Sequence, residues 1–176
     1  DAYIYAGFDI GDVAVDLRVG KQVVNWGESS FIQGGINAVN PVDAAAFRRP
    51  GAEVKEGLLP VNMIFANIGL TDNLSVEAFY QLEFQETVID ACGSYFSQAD
   101  YLAEGCDKLV VQSSLMAPST DPVLHAAGIY AERGTDEDAS DSGQFGVAFK
   151  YYAEELNATE FGLYYMNYHS RLPYAS

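Results

Sequence analysis

Basic residues are scarce. Nine Lys and Arg stand against 25 Asp and Glu, giving a formal net charge of −16 over 176 residues. Nucleic-acid binding needs a concentrated positive footprint, and this balance excludes it. Long hydrophobic runs are also missing. No stretch approaches the roughly 20 apolar residues of a membrane-spanning helix, which rules out helical spanning. A β-barrel stays open, since its strands need only about 9–11 residues each. A zinc site is not expected from the two histidines and two cysteines, because neither His125 nor His169 sits at a ligand spacing from Cys92 and Cys106. No metal site and no cofactor are expected. The chain starts at Asp1 rather than Met and ends on Leu172-Pro173-Tyr174-Ala175-Ser176. From this we expect an internal portion of a longer mature protein.

What is present is apolar and aromatic. Hydrophobic residues make up 49% and charged residues 19%, so the chain is not a disordered tail. Tyr occurs 12 times and Phe 10 times against a single Trp, a composition that suits strands and the aromatic girdles of outer-membrane barrels. The stretch from Asp12 to Gly27 shows the pattern best. Val13, Val15, Leu17 and Val19 alternate with Ala14, Asp16, Arg18, Gly20 and Gln22. Side chains alternate faces along a strand, so one face is purely apolar and the other carries full charges.

The alternation recurs in three hairpins. The first joins 2–10 to 13–26 through Gly11-Asp12, a two-residue turn signal. The second joins 61–70 to 74–85 through Thr71-Asp72-Asn73, with Leu74, Val76, Ala78, Tyr80, Leu82 and Phe84 opposite Ser75, Glu77, Gln81, Glu83 and Gln85. In 61–70 both faces are apolar, since Met63 and Phe65 oppose Ile64, Ile68 and Leu70; this fits packing against something inside a lumen. The third hairpin joins 143–153 to 159–170 through residues 154–158. The connections between hairpins, 28–60 and 86–142, are long, polar and rich in Gly, Pro, Asp and Ser. Short turns alternating with long loops is the bacterial outer-membrane pattern, with the long loops extracellular.

The expected fold is therefore all-β: an antiparallel up-and-down transmembrane β-barrel, of which residues 1–176 form part of a single barrel domain, a partial sheet of about six strands in three hairpins with two long extracellular loops. Six strands cannot close around a useful lumen, because the smallest such barrels have eight. The rest of the wall is expected from further chain or from partners. A soluble β-sandwich also alternates, but there the apolar face meets a second sheet.

Within this frame the lumen-lining residues are expected to be Asp16, Arg18, Gln22, Glu77, Gln81, Glu83 and Lys150. Trp26, at a strand end, fits a membrane-interface anchor or a core position. Gly34-Gly35 and Asn40-Pro41 mark turns, and residues 44–49 can form one helical turn stopped by Pro50-Gly51. Arg48 and Arg49 are the candidate loop contacts, pairing with Glu53 or Glu56 or meeting an anionic lipid head group. Cys92 and Cys106 are expected to form a local disulfide in an oxidising compartment, closing a loop of about 15 residues. The acidic run Asp136 to Asp141 lacks the Gly and terminal Glu of a calcium loop and reads as a solvated tip. Adjacent strand residues His169 and Ser170 point to opposite faces and cannot form a nucleophile–base pair, so no catalytic residue and no enzymatic activity are expected.

The run from Val19-Gly20-Lys21-Gln22-Val23-Val24-Asn25-Trp26-Gly27-Glu28 through Gly34-Gly35-Ile36-Asn37 and Asn40-Pro41-Val42-Asp43 to Arg48-Arg49-Pro50-Gly51-Ala52-Glu53 resembles the proteobacterial family known as domain of unknown function 1302. Leu70-Thr71-Asp72-Asn73-Leu74, Ala78-Phe79-Tyr80-Gln81, Cys92-Gly93-Ser94-Tyr95-Phe96 and Phe161 through Pro173 are similar to it too, in the expected order. No family motif matches 108–141. The resemblance implies an outer-membrane barrel of which this chain is a central slice. It also implies company: a periplasmic or lipoprotein-like family, domain of unknown function 1329, and an RND-type exporter. Handling of lipids, steroids or other hydrophobic compounds is implied with them. The family brings no established catalytic residues.

The first functional expectation is thus a channel or transport component for hydrophobic or amphiphilic compounds in the outer membrane of a Gram-negative bacterium. It would contact outer-membrane lipid and lipopolysaccharide, and the long loops would cover the outer mouth. The second is a non-transporting outer-membrane scaffold that binds partner proteins or lipopolysaccharide through those loops. The third is a secreted soluble β protein.

Overall fold

A computed structural model describes residues 1–26, 35, 36, 38–97, 100–103, 105–110 and 121–174. Its centre is one six-stranded sheet, and every strand pairs antiparallel with its neighbour. The strands are β1 (Ala2–Ile10), β2 (Val13–Gln22), β3 (Val61–Thr71), β4 (Leu74–Gln81), β7 (Phe145–Ala153) and β8 (Thr159–Asn167). Their spatial order is β1-β2-β3-β4-β7-β8, the chain order with one insertion between β4 and β7. That insertion carries a separate two-stranded sheet, β5 (Lys108–Leu109) with β6 (Ala131–Glu132), and the short helix α2 (Asp121–Ala126). A second short helix, α1 (Val54–Gly57), follows a 3-10 turn at Ala46–Arg48, where one helical turn was expected.

The three hairpins and the up-and-down order match the expectation. Barrel closure is not part of this structure: β1 pairs only with β2 and β8 only with β7, so the described sheet is open at both edges. Tight turns join the hairpins at one end, using Gly11 at φ 64° in the first and Asn157 at φ 57° in the third. Gly tolerates left-handed backbone without a Cβ clash, and Asn is the next most accommodating residue. The two long connections leave from the other end. They are joined to each other where Val88 N donates to Val42 O and Ala44 N to Val88 O, both at 2.9 Å.

Register puts side chains of one kind in rows across the whole sheet. One face carries Ile4, Val19, Ile64, Tyr80 and Phe145, then Ala6, Leu17, Ala66, Ala78, Val147 and Tyr165, then Phe8, Val15, Ile68, Val76, Phe149 and Leu163. No described element packs over it. Ile4 is 78% exposed and Leu163 70%.

The opposite face carries the charges and also the core. Val24, Trp26, Val39, Val61, Met63, Phe65, Phe79 and Ala148 form one buried cluster, flanked by Ile36, Tyr164 and Met166. Met63 and Phe65 thus pack against the first long connection, which explains why β3 is apolar on both faces. Gly146 makes room for this layer. A Cβ there would sit 2.6 Å from the Phe79 ring, 2.8 Å from Trp26 and 3.0 Å from Met166.

Several strands end earlier than their alternation suggests. β2 stops at Gln22 rather than Trp26, β4 at Gln81 rather than Gln85, and β8 at Asn167 rather than Ser170, while β7 starts at Phe145 rather than Gly143. The reason is local. Asn40 takes over as the partner of the chain beyond β2: its Oδ1 accepts from Val24 N at 2.9 Å, and its Nδ2 donates to Gln22 O at 3.1 Å and Leu59 O at 2.9 Å. A side-chain amide replaces the next strand. Of the turn expected at Gly34-Gly35, Gly34 lies outside the described residues, as do 27–33, 37 and 111–120.

Gly146→Val is expected to destabilise the fold by about 1–3 kcal/mol, because the core has no space for the added atoms. The measurement is the denaturant midpoint of the purified protein, followed by emission of Trp26.

Candidate functional site

The polar face has two zones. Near the tight turns it carries charged side chains with different partners. Lys150 Nζ donates to Glu77 Oε1 at 2.7 Å across neighbouring strands, and the Tyr5 hydroxyl donates to Asp16 Oδ1 at 2.7 Å. Arg18 lies over the Phe65 ring at 4.2 Å and over Tyr3 at 5.6 Å. Asp16, Arg18, Glu77 and Lys150 therefore share the face assigned to them.

Toward the long connections the face is roofed. Gln22, Gln81 and Gln144 are fully buried, although the first two belong to the expected lining set. Their amide nitrogens donate to protein oxygens: Gln22 Nε2 to Met63 O at 3.0 Å, and Gln81 Nε2 to Val39 O. Glu83 lies past the end of β4. Its carboxylate accepts from Asn62 N at 3.1 Å and from Asn62 Nδ2 at 2.9 Å, capping the start of β3.

The roof is held by Arg171, a residue the sequence analysis did not single out. Its Nε donates to Ala38 O at 3.1 Å and its Nη1 to Gln85 O at 3.0 Å. Its Nη2 reaches Val39 O at 2.8 Å, Gln81 Oε1 at 2.6 Å and Gln144 Oε1 at 3.5 Å. All five acceptors are neutral oxygens, and no acid ion-pairs with Arg171 among the described residues. Burial pushes the guanidinium down to about 10, so it remains charged at neutral pH. One side chain thereby ties the first connection, the ends of β4 and β7 and the segment after β8. The scarcity of basic residues is the one signal that could have marked it, since an isolated Arg in so acidic a chain must be held by something.

Trp26 is 2% exposed and packs 5.2 Å from Phe79 and 5.7 Å from Tyr164, ring centre to ring centre. It is a core residue and not an interface anchor, because the chain after β2 folds back over the polar face and carries the indole inward. Arg48 pairs with Asp90 through both guanidinium nitrogens and lies over Phe96, 4.8 Å from the ring centre. The partners expected for it, Glu53 and Glu56, are not used; Glu53 pairs with Lys55 at 2.7 Å. The Arg48 guanidinium holds the Asp90 carboxyl below its ordinary range. Arg49 makes no ion pair among the described residues.

Cys92 and Cys106 form the expected disulfide, with Cα atoms 5.7 Å apart. In the acidic run, Asp136 pairs with Arg133 at 2.6 Å and Asp141 accepts from Phe84 N at 2.8 Å. His169 contacts Ser142 O at 3.3 Å, while the Ser170 hydroxyl donates to Leu172 O at 3.4 Å, so the two do not meet. His125 stands beside Tyr130, with ring centres 5.5 Å apart. Among the described residues no three His, Cys, Asp or Glu side chains come together to hold a metal.

A family described as "Protein of unknown function (DUF1302)" matches residues 1–176, the whole chain. The chain belongs to this family. No curated protein and no solved structure matches it. For this DUF1302 protein the structure thus brings together, on one face of a sheet, the Lys150–Glu77 pair, an Arg18 without an ion pair among the described residues, and a buried polar layer held by Arg171.

Replacing Arg171 by Met leaves buried carbonyl and amide oxygens without donors, and we expect a loss of at least about 3 kcal/mol. Arg171→Lys should recover only part of it, since an ammonium cannot reproduce the fork. Denaturant midpoints and a red shift of Trp26 emission report both. Cys92→Ser combined with Cys106→Ser should remove about 3 kcal/mol of loop constraint. Limited proteolysis should then cut faster within 92–106 while the six-stranded sheet persists.

Proposed function

We propose that this chain is part of the wall of an outer-membrane β-barrel in a Gram-negative bacterium, and that the barrel passes hydrophobic or amphiphilic compounds. The observation that carries this reading is the asymmetry of the sheet. One face is apolar through the middle of all six strands, with Lys21, Asn62 and Asn167 only at the long-loop end, and is uncovered by any described residue, while the other carries Asp16, Arg18, Glu77 and Lys150 and is roofed at one end only. Water is a poor partner for so large an apolar surface, and hydrocarbon is a good one. A soluble sandwich would lay a second sheet over that face, and among the described residues none lies there. Strand lengths of 8 to 11 residues suit a tilted crossing of the bilayer. Unpaired backbone at the β1 and β8 edges is not tolerated in lipid, so further strands must join both. The wider company, a periplasmic or lipoprotein partner and an RND-type exporter, belongs to the same proposal and rests on the family resemblance.

The roof over the polar face favours a second reading, a closed scaffold that presents its loops to partner proteins or lipopolysaccharide. Conductance of the purified protein in planar bilayers separates the two, because a permanently sealed scaffold passes no ions.

Leu17→Lys, in the middle apolar row, is expected to cost about 2–4 kcal/mol if lipid faces it. The variant should be depleted from the outer-membrane fraction and lose the slow-migrating or fast-migrating folded band on unheated gels. Ser75→Lys, on the opposite face, should keep both. A wild-type protein that stays soluble without detergent defeats the membrane reading.

A further inference from the structure

Each cation of the polar face has a different environment. Lys150 is neutralised by Glu77 at 2.7 Å, and Arg171 is enclosed by five neutral oxygens. Arg18 is different. Its guanidinium makes no hydrogen bond and no ion pair among the described residues, and it is positioned only by the rings of Phe65 and Tyr3. Asp16, two positions along the same strand face, is occupied by the Tyr5 hydroxyl at 2.7 Å instead of turning to Arg18. Aromatic contacts fix a guanidinium without using its N–H donors, which stay available for a planar, two-oxygen acceptor.

Two further observations define what such an acceptor would be. Tyr3 and Tyr5 flank Arg18 on the same face and leave much of their surface open, 43% and 61%. That places apolar area directly beside the free donors. Asp16 in the adjoining row, whose partner is the neutral Tyr5 hydroxyl, adds a negative charge beside the site. A dianion such as a phosphate monoester is disfavoured there, whereas a single carboxylate is matched by one guanidinium.

We propose that Arg18, flanked by Tyr3, Tyr5 and Phe65, binds the carboxylate head of an amphipathic monoanion whose apolar part lies on the exposed tyrosine rings. The inference rests on the transport reading above and names the substrate class for it.

The test uses the full-length protein in nanodiscs of neutral lipid, with radiolabelled dodecanoate and dodecan-1-ol as probes and empty nanodiscs as blanks. The wild type is expected to bind dodecanoate more tightly than the alcohol. Arg18→Gln should weaken dodecanoate binding at least about tenfold and leave dodecanol binding unchanged. Arg18→Lys should restore part of the preference, and Lys150→Gln should move neither probe. Equal loss of both probes in Arg18→Gln, or undiminished dodecanoate binding by that variant, overturns the proposal. Outer-membrane fractionation of the same cells separates this failure from that of the barrel reading. A protein that sediments with the membrane but ignores Arg18 overturns the carboxylate site alone. A protein absent from the membrane overturns the barrel and the site with it.

Discussion

The register of six antiparallel strands is the constraint on which everything else depends. Because side chains alternate with a period of two, a slip of one residue in any pairing would turn Asp16, Arg18, Glu77 and Lys150 toward the face now held by Val15, Leu17, Val76 and Phe149. Such a slip would also carry Met63, Phe65 and Phe79 off the face where they are buried, and losing that cluster costs more than any one cross-strand contact returns. The tight turns fix the starting point of each hairpin. The charged and apolar rows then leave a single alignment that keeps Asp16, Arg18, Glu77 and Lys150 together on one face.

The same face that carries the charges also carries the core, and a polar layer separates the two from the loop end. Gln22, Gln81, Gln144 and Asn40 stop the strands and replace ladder hydrogen bonds with side-chain ones. Arg171 then gathers the side-chain oxygens of Gln81 and Gln144. A buried cation bound only by neutral acceptors is a demanding arrangement, since each oxygen must be correctly placed to offset the loss of water. Its reward is geometric: segments separated by up to 133 residues in sequence converge on one planar group.

How much of this was legible in the chain follows from the range of each signal. Alternation is local, so β1 to β4, β7 and β8 were readable from runs such as Leu74 to Leu82, and the Cys92–Cys106 pair from its spacing. Strand ends were not readable, because Gln22 and Gln81 continue the polar alternation and only their tertiary partners show that they end it. Lys108–Leu109 and Ala131–Glu132 are too short to display any period. Arg48 was matched to nearby acids when its partner lies 42 residues away. Arg171 was invisible because its acceptors are mostly carbonyls, which every residue has. Trp26 suited two environments, and only the path of the chain after β2 chose between them.

The backbone bonds that Val88 exchanges with Val42 and Ala44, together with the Arg48–Asp90 pair, have a mechanical meaning. They stitch the descending part of one long excursion to the start of the other. Residues 42–48 and 88–90 therefore move together, since separating them breaks main-chain hydrogen bonds as well as the ion pair.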